Sequence, residues 1–182
     1  GMTRWVDLER CDGVPEGEFL VAGLQWTPTG SEVLIQRLTR RQDRLDLLAV
    51  DAATGAVRVV VTESDAAWVD AQPELGFIGD GGSVLWLSER DGWRHAYRCD
   101  LSTGNLQQLT RGEWEVASIG GADASAGHVF VVAAWPDPAT RSVLSVPLNG
   151  EDDPRPLCLE RGCHSILLSP AGDRWVRTSS TL

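Results

Sequence analysis

Apolar residues fall in short runs rich in Val, Leu, Ile and Trp, separated by clusters of Gly, Asp, Pro and Thr, and long helical periodicity is nearly absent. Such runs predict β-strands bounded by turns. In the first unit the strands fall at 19–26, 33–38, 45–51 and 57–62. The chain reads as all-β.

The runs repeat. The stretch "TPTGSEVLIQRL" (27–38) resembles "IGDGGSVLWLSE" (78–89), "ADASAGHVFVVAAW" (122–135) and "LSPAGDRWVRTSS" (168–180). With Gly30, Gly81, Gly127 and Gly172 as anchors, the steps are 51, 46 and 45 residues. A second marker follows each of the first three anchors: "DAATG" (51–55), "DLSTG" (100–104) and "PLNG" (147–150), each a turn between two strands. A third follows two of these, "VVVTESDAAWV" (59–69) and "QQLTRGEWEV" (107–116), where a strand ending in threonine leads through an acidic loop to tryptophan.

Four antiparallel strands repeating at a period in the forties predict β-propeller blades, which bury their faces by stacking on one another. The expected fold is therefore a partial β-propeller, with three four-stranded antiparallel blades plus strands of the two flanking blades. After residues 1–2, residues 3–182 form one domain in this reading. Residues 4–8 are the last strand of a preceding blade, 19–63, 68–112 and 116–160 are blades, and 165–180 holds the first strands of a following one.

Composition narrows the function. The chain has 182 residues and a formal net charge of −10, which opposes binding to a phosphate backbone and excludes nucleic acid as an expected partner. All 16 basic residues are arginine, so lysine chemistry is excluded. Cys11, Cys99, Cys158 and Cys163 form no CxxC pair, and His95, His128 and His164 lie far apart, so no metal or other cofactor is expected. Cys158 and Cys163 read as separate free thiols, with a local bridge in an oxidising compartment as the alternative. Gly1 before Met2 reads as a tag-removal scar. No signal-peptide pattern or membrane-length apolar run is present, and the location is cytoplasmic if Met2 is the natural start.

The residues that most resemble chemistry are "SERDGWRHAY" (88–97). Asp91 and Gly92 make a strong hairpin dipeptide, expected to adopt two consecutive positive φ angles. After that turn, strand alternation puts Trp93, His95, Tyr97 and Cys99 on one face, which predicts a buried, hydrogen-bonded structural histidine. Glu89, Arg90, Asp91 and Arg94 cluster at the turn, either as charges that hold it or as a partner-facing loop. Trp26, Trp68, Trp86, Trp114 and Trp135 recur near strand ends and are expected to wedge between blades. Asp51 and Asp100 read as turn residues, and Arg40, Arg41 and Arg44 as a salt-bridging patch.

The ordered series "TESDAAWVD", "LSERDGWRHAYRCDLSTG", "QLTRGEWEV" and "HSILLSPAGDRWV" resembles the N-terminal β-propeller region of the dipeptidyl peptidase IV branch of the prolyl oligopeptidase family. The resemblance implies a propeller that in the complete enzyme accompanies an α/β-hydrolase domain removing dipeptides from peptide substrates. No G-x-S-x-G nucleophile elbow occurs here, the paired-glutamate motif for the substrate amine is missing, and "WVDAQP" (68–73) lacks the family's arginine, so no catalytic residue carries over. The expected function is a non-catalytic propeller scaffold or binding module; the alternative is the N-terminal segment of an active dipeptidyl peptidase. By the same resemblance Arg90, Asp91, Arg94, Trp68 and Asp70 are expected at interdomain or partner contacts. Open edges suggest a homodimer that completes an eight-bladed ring.

Overall fold

A computed structural model describes residues 3–9, 18–72, 75–158, 160–169 and 172–180. Gly1, Met2 and Cys11 lie outside the described residues, as do Pro73 and Leu159. Among the described residues there is no α-helix, and none long and apolar enough to cross a membrane. The chain divides into two compact units: residues 1–75 with 100–105, and residues 76–99 with 106–182.

In the first unit β1 (Phe19–Trp26), β2 (Glu32–Thr39), β3 (Arg44–Asp51) and β4 (Val57–Ser64) form one antiparallel sheet in chain order. The expected strands are reproduced to within two residues at every end. The central strands β2 and β3 carry the longest apolar runs and are buried along most of their length. Ile35, Leu48 and Val50 form a core cluster against which Val6, Leu8, Val33 and Val59 pack. Residues 4–8, expected as a strand, join no ladder among the described residues. The segment is held by side chains, with the Leu8 carbonyl accepting from Arg37 Nη1 at 2.6 Å and Val6 and Leu8 packing on the core cluster.

Two glutamine side chains fasten the segment after β4. The Gln36 amide exchanges hydrogen bonds with the backbone of Gln72, at 2.9 and 2.8 Å, in the manner of a ladder rung. Gln25 does the same with Leu75, at 2.9 and 3.1 Å. Each side chain thus bonds both a backbone donor and a backbone acceptor of the segment.

In the second unit β5 (Gly76–Ile78), β6 (Ser83–Ser88), β7 (His95–Asp100) and β8 (Leu106–Gln108) form a second sheet. A third comprises β9 (Val116–Asp123), β10 (His128–Ala133), β11 (Ser142–Pro147) and β12 (Arg155–Pro156). β13 (Cys163–Leu168) and β14 (Trp175–Ser180) pair as a two-stranded sheet. Leu85, Leu87 and Ala96 share one core cluster with Val129, Val131 and Leu144, so the second and third sheets bury their apolar faces together. A Cβ on Gly120 would collide with Ile166, so this glycine in β9 lets β13 approach.

The repeat glycines have conformational reasons. The four anchors Gly30, Gly81, Gly127 and Gly172 all have φ between 69° and 90°, a region that side chains with a Cβ avoid. The glycines of the second marker, Gly55, Gly104 and Gly150, have φ of 76°, 73° and 68°. They carry a further constraint. A Cβ on Gly104 would strike the carbonyl oxygen of Val60 in β4, and one on Gly150 would lie 2.7 Å from the carbonyl oxygen of Gln108 in β8. Gly55 meets the Arg4 side chain at 2.8 Å in the same sense.

Candidate functional site

The loop between β6 and β7 runs from 89 to 94. Gly92 has φ 97° and donates its N–H to the Glu89 carbonyl at 2.9 Å. Asp91 does not share the left-handed conformation; among the described residues Gln42 is the only non-glycine with positive φ. The expected two-residue turn is therefore a longer loop, because His95, not Trp93, is the first residue of β7.

The charged side chains of this loop reach outward to different anchors. Arg90 Nε donates to Ser88 Oγ at 2.9 Å, and its guanidinium lies 5.4 Å from the centre of the Tyr97 ring. Gln108 Nε2 donates to Asp91 Oδ2, and Arg94 Nη1 donates to the Ala117 carbonyl at 3.3 Å. Arg90, Asp91 and Arg94 thus belong to one loop, tied to β8 and β9. Ser88 is only 4% exposed, which removes it as a nucleophile for an external substrate.

His95 is fully buried. Its Nε2 stands 3.0 Å from the Gly112 carbonyl, which can only accept, so Nε2 carries the proton. Nδ1 is then the acceptor for the Thr110 hydroxyl at 2.9 Å, while the same hydroxyl oxygen accepts from the Ala96 N–H, also at 2.9 Å. The Trp114 ring packs edge-on at 5.2 Å. Every polar atom of the imidazole is used in joining β7 to residues 110–114, which fits a structural histidine. Tyr97 and Cys99 are buried on its face as expected; Trp93 is 44% exposed and does not belong to that group. Trp114 and Thr110 were visible in the sequence only as parts of the third marker.

Five residues before the turn aspartate Asp100 stands His95; five before the equivalent Asp51 stands Asp46. Asp46 also binds the threonine of its marker, accepting from the Thr62 hydroxyl at 2.6 Å. Arg44 Nε donates to Asp46 at 3.0 Å, and Arg41 pairs with Asp43 at 3.3 Å, which accounts for two of the clustered arginines as salt-bridging residues.

Trp68 and Asp70 lie in the first unit, on the segment that Gln25 and Gln36 fasten. Trp68 is 58% exposed, and its Nε1 donates to Asp70 Oδ1 at 2.6 Å. Asp65 Oδ1 receives the N–H groups of Ala67 and Trp68 at 2.7 and 3.3 Å. The indole is therefore presented to solvent in a fixed orientation. Trp26 is also exposed, whereas Trp86 is fully buried and Trp114 and Trp135 pack on the core of the second unit. Trp114 and Trp135 thus pack on the core shared by the second and third sheets, as the wedge reading expects, while Trp26 and Trp68 stand open in this chain.

A cleft of about 360 Å³ opens in the second unit, between the β10–β11 loop and the segment joining β12 to β13. Trp135, Pro136 and Cys158 supply its apolar wall, and Asp137, Glu160 and Arg161 its charged rim. Cys158 and Cys163 are free thiols, as is the buried Cys99. No local motif marks this cleft in the sequence, because its residues are scattered between positions 135 and 161.

The turn aspartates complete the electrostatic picture. Hydrogen bonds from the Ser102 hydroxyl and from the N–H and hydroxyl of Thr103 hold the Asp100 carboxyl down at about 2. The Thr54 hydroxyl and N–H lower Asp51, and the Ser125 hydroxyl with the Ala126 N–H lowers Asp123. Each carboxylate is saturated by its own turn. Among the described residues no group of three or more His, Cys, Asp or Glu is placed to hold a metal ion.

Against known proteins, a family model described as "Dipeptidyl peptidase IV (DPP IV) N-terminal region" matches residues 3–182. A probable dipeptidyl-aminopeptidase B from Coccidioides posadasii (strain C735) is 33% identical over 174 residues, covering 87% of this chain and 19% of that protein. Dipeptidyl peptidase 4 of Trichophyton equinum is 28% identical over 138 residues, covering 72% of this chain and 18% of its own. The crystal structure of Porphyromonas gingivalis dipeptidyl peptidase 4 matches with a TM-score of 0.81 at 24% identity, over 92% of this chain and 24% of that one. The chain thus spans about a fifth of the length of the curated relatives it matches. The fold is all-β, a partial β-propeller of antiparallel four-stranded blades.

Proposed function

The chain belongs to the dipeptidyl peptidase IV N-terminal-region family, and from that premise we propose that it serves as a non-catalytic propeller scaffold or binding module of a dipeptidyl peptidase-type serine exopeptidase. The observation that carries this reading is the match over residues 3–182 to a region of peptidases, joined to blades whose reactive-looking side chains are consumed structurally. His95 has both ring nitrogens engaged, and Ser88 is buried. In this role Arg90, Asp91 and Arg94, and separately Trp68 and Asp70, are contact residues for an α/β-hydrolase domain or another partner. Residues 4–8 act as the outer strand of a preceding blade, supported by the packing of Gly55 on Arg4. Incubating the chain with a chromogenic dipeptidyl-proline substrate tests the reading: no turnover is expected, and turnover that survives purification and is blocked by a serine-hydrolase inhibitor overturns it.

A second reading is that the chain is the N-terminal segment of an active dipeptidyl peptidase, favoured by relatives named for that activity and matched over about a fifth of their length. Sequencing the gene beyond Leu182 separates the two. Self-association into an eight-bladed ring is a further part of the proposal. Leu24 and Trp26 on β1 are 66% and 59% exposed, and Leu167 and Val176 on β13 and β14 are 73% and 64% exposed. Apolar faces left open in this way favour association. Light scattering is expected to give twice the 19.7 kDa chain mass, and a strictly monomeric mass at high concentration removes the dimer.

A further inference from the structure

We propose that the cleft beside Trp135 binds a zwitterionic amino acid or short peptide with an apolar side chain. The inference is independent of the peptidase reading and rests on how the charges around the cleft are balanced. Its volume, about 360 Å³, is at the small end of ligand pockets, which run from about 300 to 1,000 Å³. The floor is closed: Thr140 and Ser142 are buried, and the Ser142 hydroxyl donates to the Trp135 carbonyl. The Thr140 hydroxyl donates to the Asp137 carbonyl at 2.8 Å, which fixes the loop that carries the indole and the Asp137 carboxylate.

The charged residues lining the cleft are Asp137, Glu160 and Arg161, and each carboxylate has a guanidinium partner, Arg161 within the lining and Arg177 from β14. Arg161 Nη2 lies 2.9 Å from Asp137 Oδ2, an ion pair between the two segments that bound the cleft. Arg177 Nη2 lies 3.5 Å from Glu160 Oε2. A ligand with a single charge would take one member of such a pair and leave the other unmatched. A zwitterion inserted between Asp137 and Arg161 gives its ammonium to the carboxylate and its carboxylate to the guanidinium, so every charge stays paired. The Asp137 and Arg161 side chains are 41% and 78% exposed, and an ion pair that open is held weakly, so separating it opposes binding little. The ligand's side chain then lies against Trp135, Pro136 and Cys158, whose apolar surface is otherwise left to water.

Calorimetric titration of the chain with L-phenylalanine and with glycyl-phenylalanine tests the site and distinguishes a free amino acid from a peptide. Phenethylamine and 3-phenylpropionate, each carrying one charge, are the controls. Binding of at least one zwitterion is expected, with both controls weaker by about tenfold, the effect of losing one charge-assisted contact. Asp137→Asn and Arg161→Gln are each expected to weaken the zwitterion by a similar factor and to leave the near-ultraviolet circular dichroism unchanged. Absence of binding by both zwitterions overturns the proposal. So does equal binding by the singly charged controls, or undiminished affinity in both variants.

Discussion

Arg37 and Asp46 stand directly opposite each other on β2 and β3 and form an ion pair at 2.7 Å with both side chains 1% exposed. A second guanidinium contact, from Nε at 3.2 Å, makes the arrangement two-pronged. Burying two charges is costly, and what offsets the cost is the number of partners: Asp46 also receives Thr62 and Arg44, and Arg37 also donates to Leu8.

Removing one member should therefore be far worse than removing both. Asp46→Ala is expected to destabilise the chain by about 3–5 kcal/mol by leaving an uncompensated buried guanidinium. Arg37→Met combined with Asp46→Leu is expected to recover most of that loss. Urea unfolding of the three proteins checks the order, which is the informative result.

His95→Ala is expected to cost about 3 kcal/mol, from the cavity beneath Trp114, the Thr110 hydroxyl proton left without its acceptor and the Gly112 carbonyl left without its donor. The same substitution at His128, the half-buried first residue of β10 whose ring bonds the Ala126 carbonyl, should cost clearly less. Thermal unfolding followed by tryptophan fluorescence distinguishes them.

Gly30 and Gly104 share a positive φ, but a Cβ on Gly30 meets nothing within 4 Å, whereas on Gly104 it meets the Val60 carbonyl. Gly30→Ala should cost only the backbone strain, about 1–2 kcal/mol. Gly104→Ala adds a steric clash with backbone and should cost clearly more. Denaturation midpoints of the two variants test the difference.

Asp100 gives a pH signature. Its folded pKa, about 2, lies below the unfolded value, about 3.9, so its contribution is fully present above the unfolded value and is lost as pH falls through about 2. In Asp100→Asn the acid limb of the stability profile should be shallower between those two values, with no change in slope near neutrality. Urea midpoints measured across that range, together with NMR titration of the carboxyl, provide the check.

Strands and turns were legible because each depends on a local cause: alternation for the strands, obligatory positive φ for the marker glycines. The same alternation placed His95 in the core with Tyr97 and Cys99. It misplaced Trp93, because a strand's face can be extended into a loop only if the loop keeps the pleat, and residues 89–94 do not. The Arg37 and Asp46 pair drew no expectation from the sequence, since nothing local distinguishes a buried arginine bonded to Asp46 and the Leu8 carbonyl from an exposed one. The cleft was invisible for a related reason: it is made where two connecting segments meet, and distance along the chain hides that meeting.

The tip glycines set where this architecture tolerates change. Gly104 and Gly150 each press a bare backbone against a carbonyl oxygen of an earlier outer strand, so those hairpin tips cannot be lengthened or relettered without prising strands apart. The loops at the other end of the same strands, 89–94 and 134–141, are held by side-chain hydrogen bonds instead and differ in length and composition. Substitution should therefore be purged first from the Gly104 and Gly150 tips, where no side chain fits between the backbone and the neighbouring carbonyl.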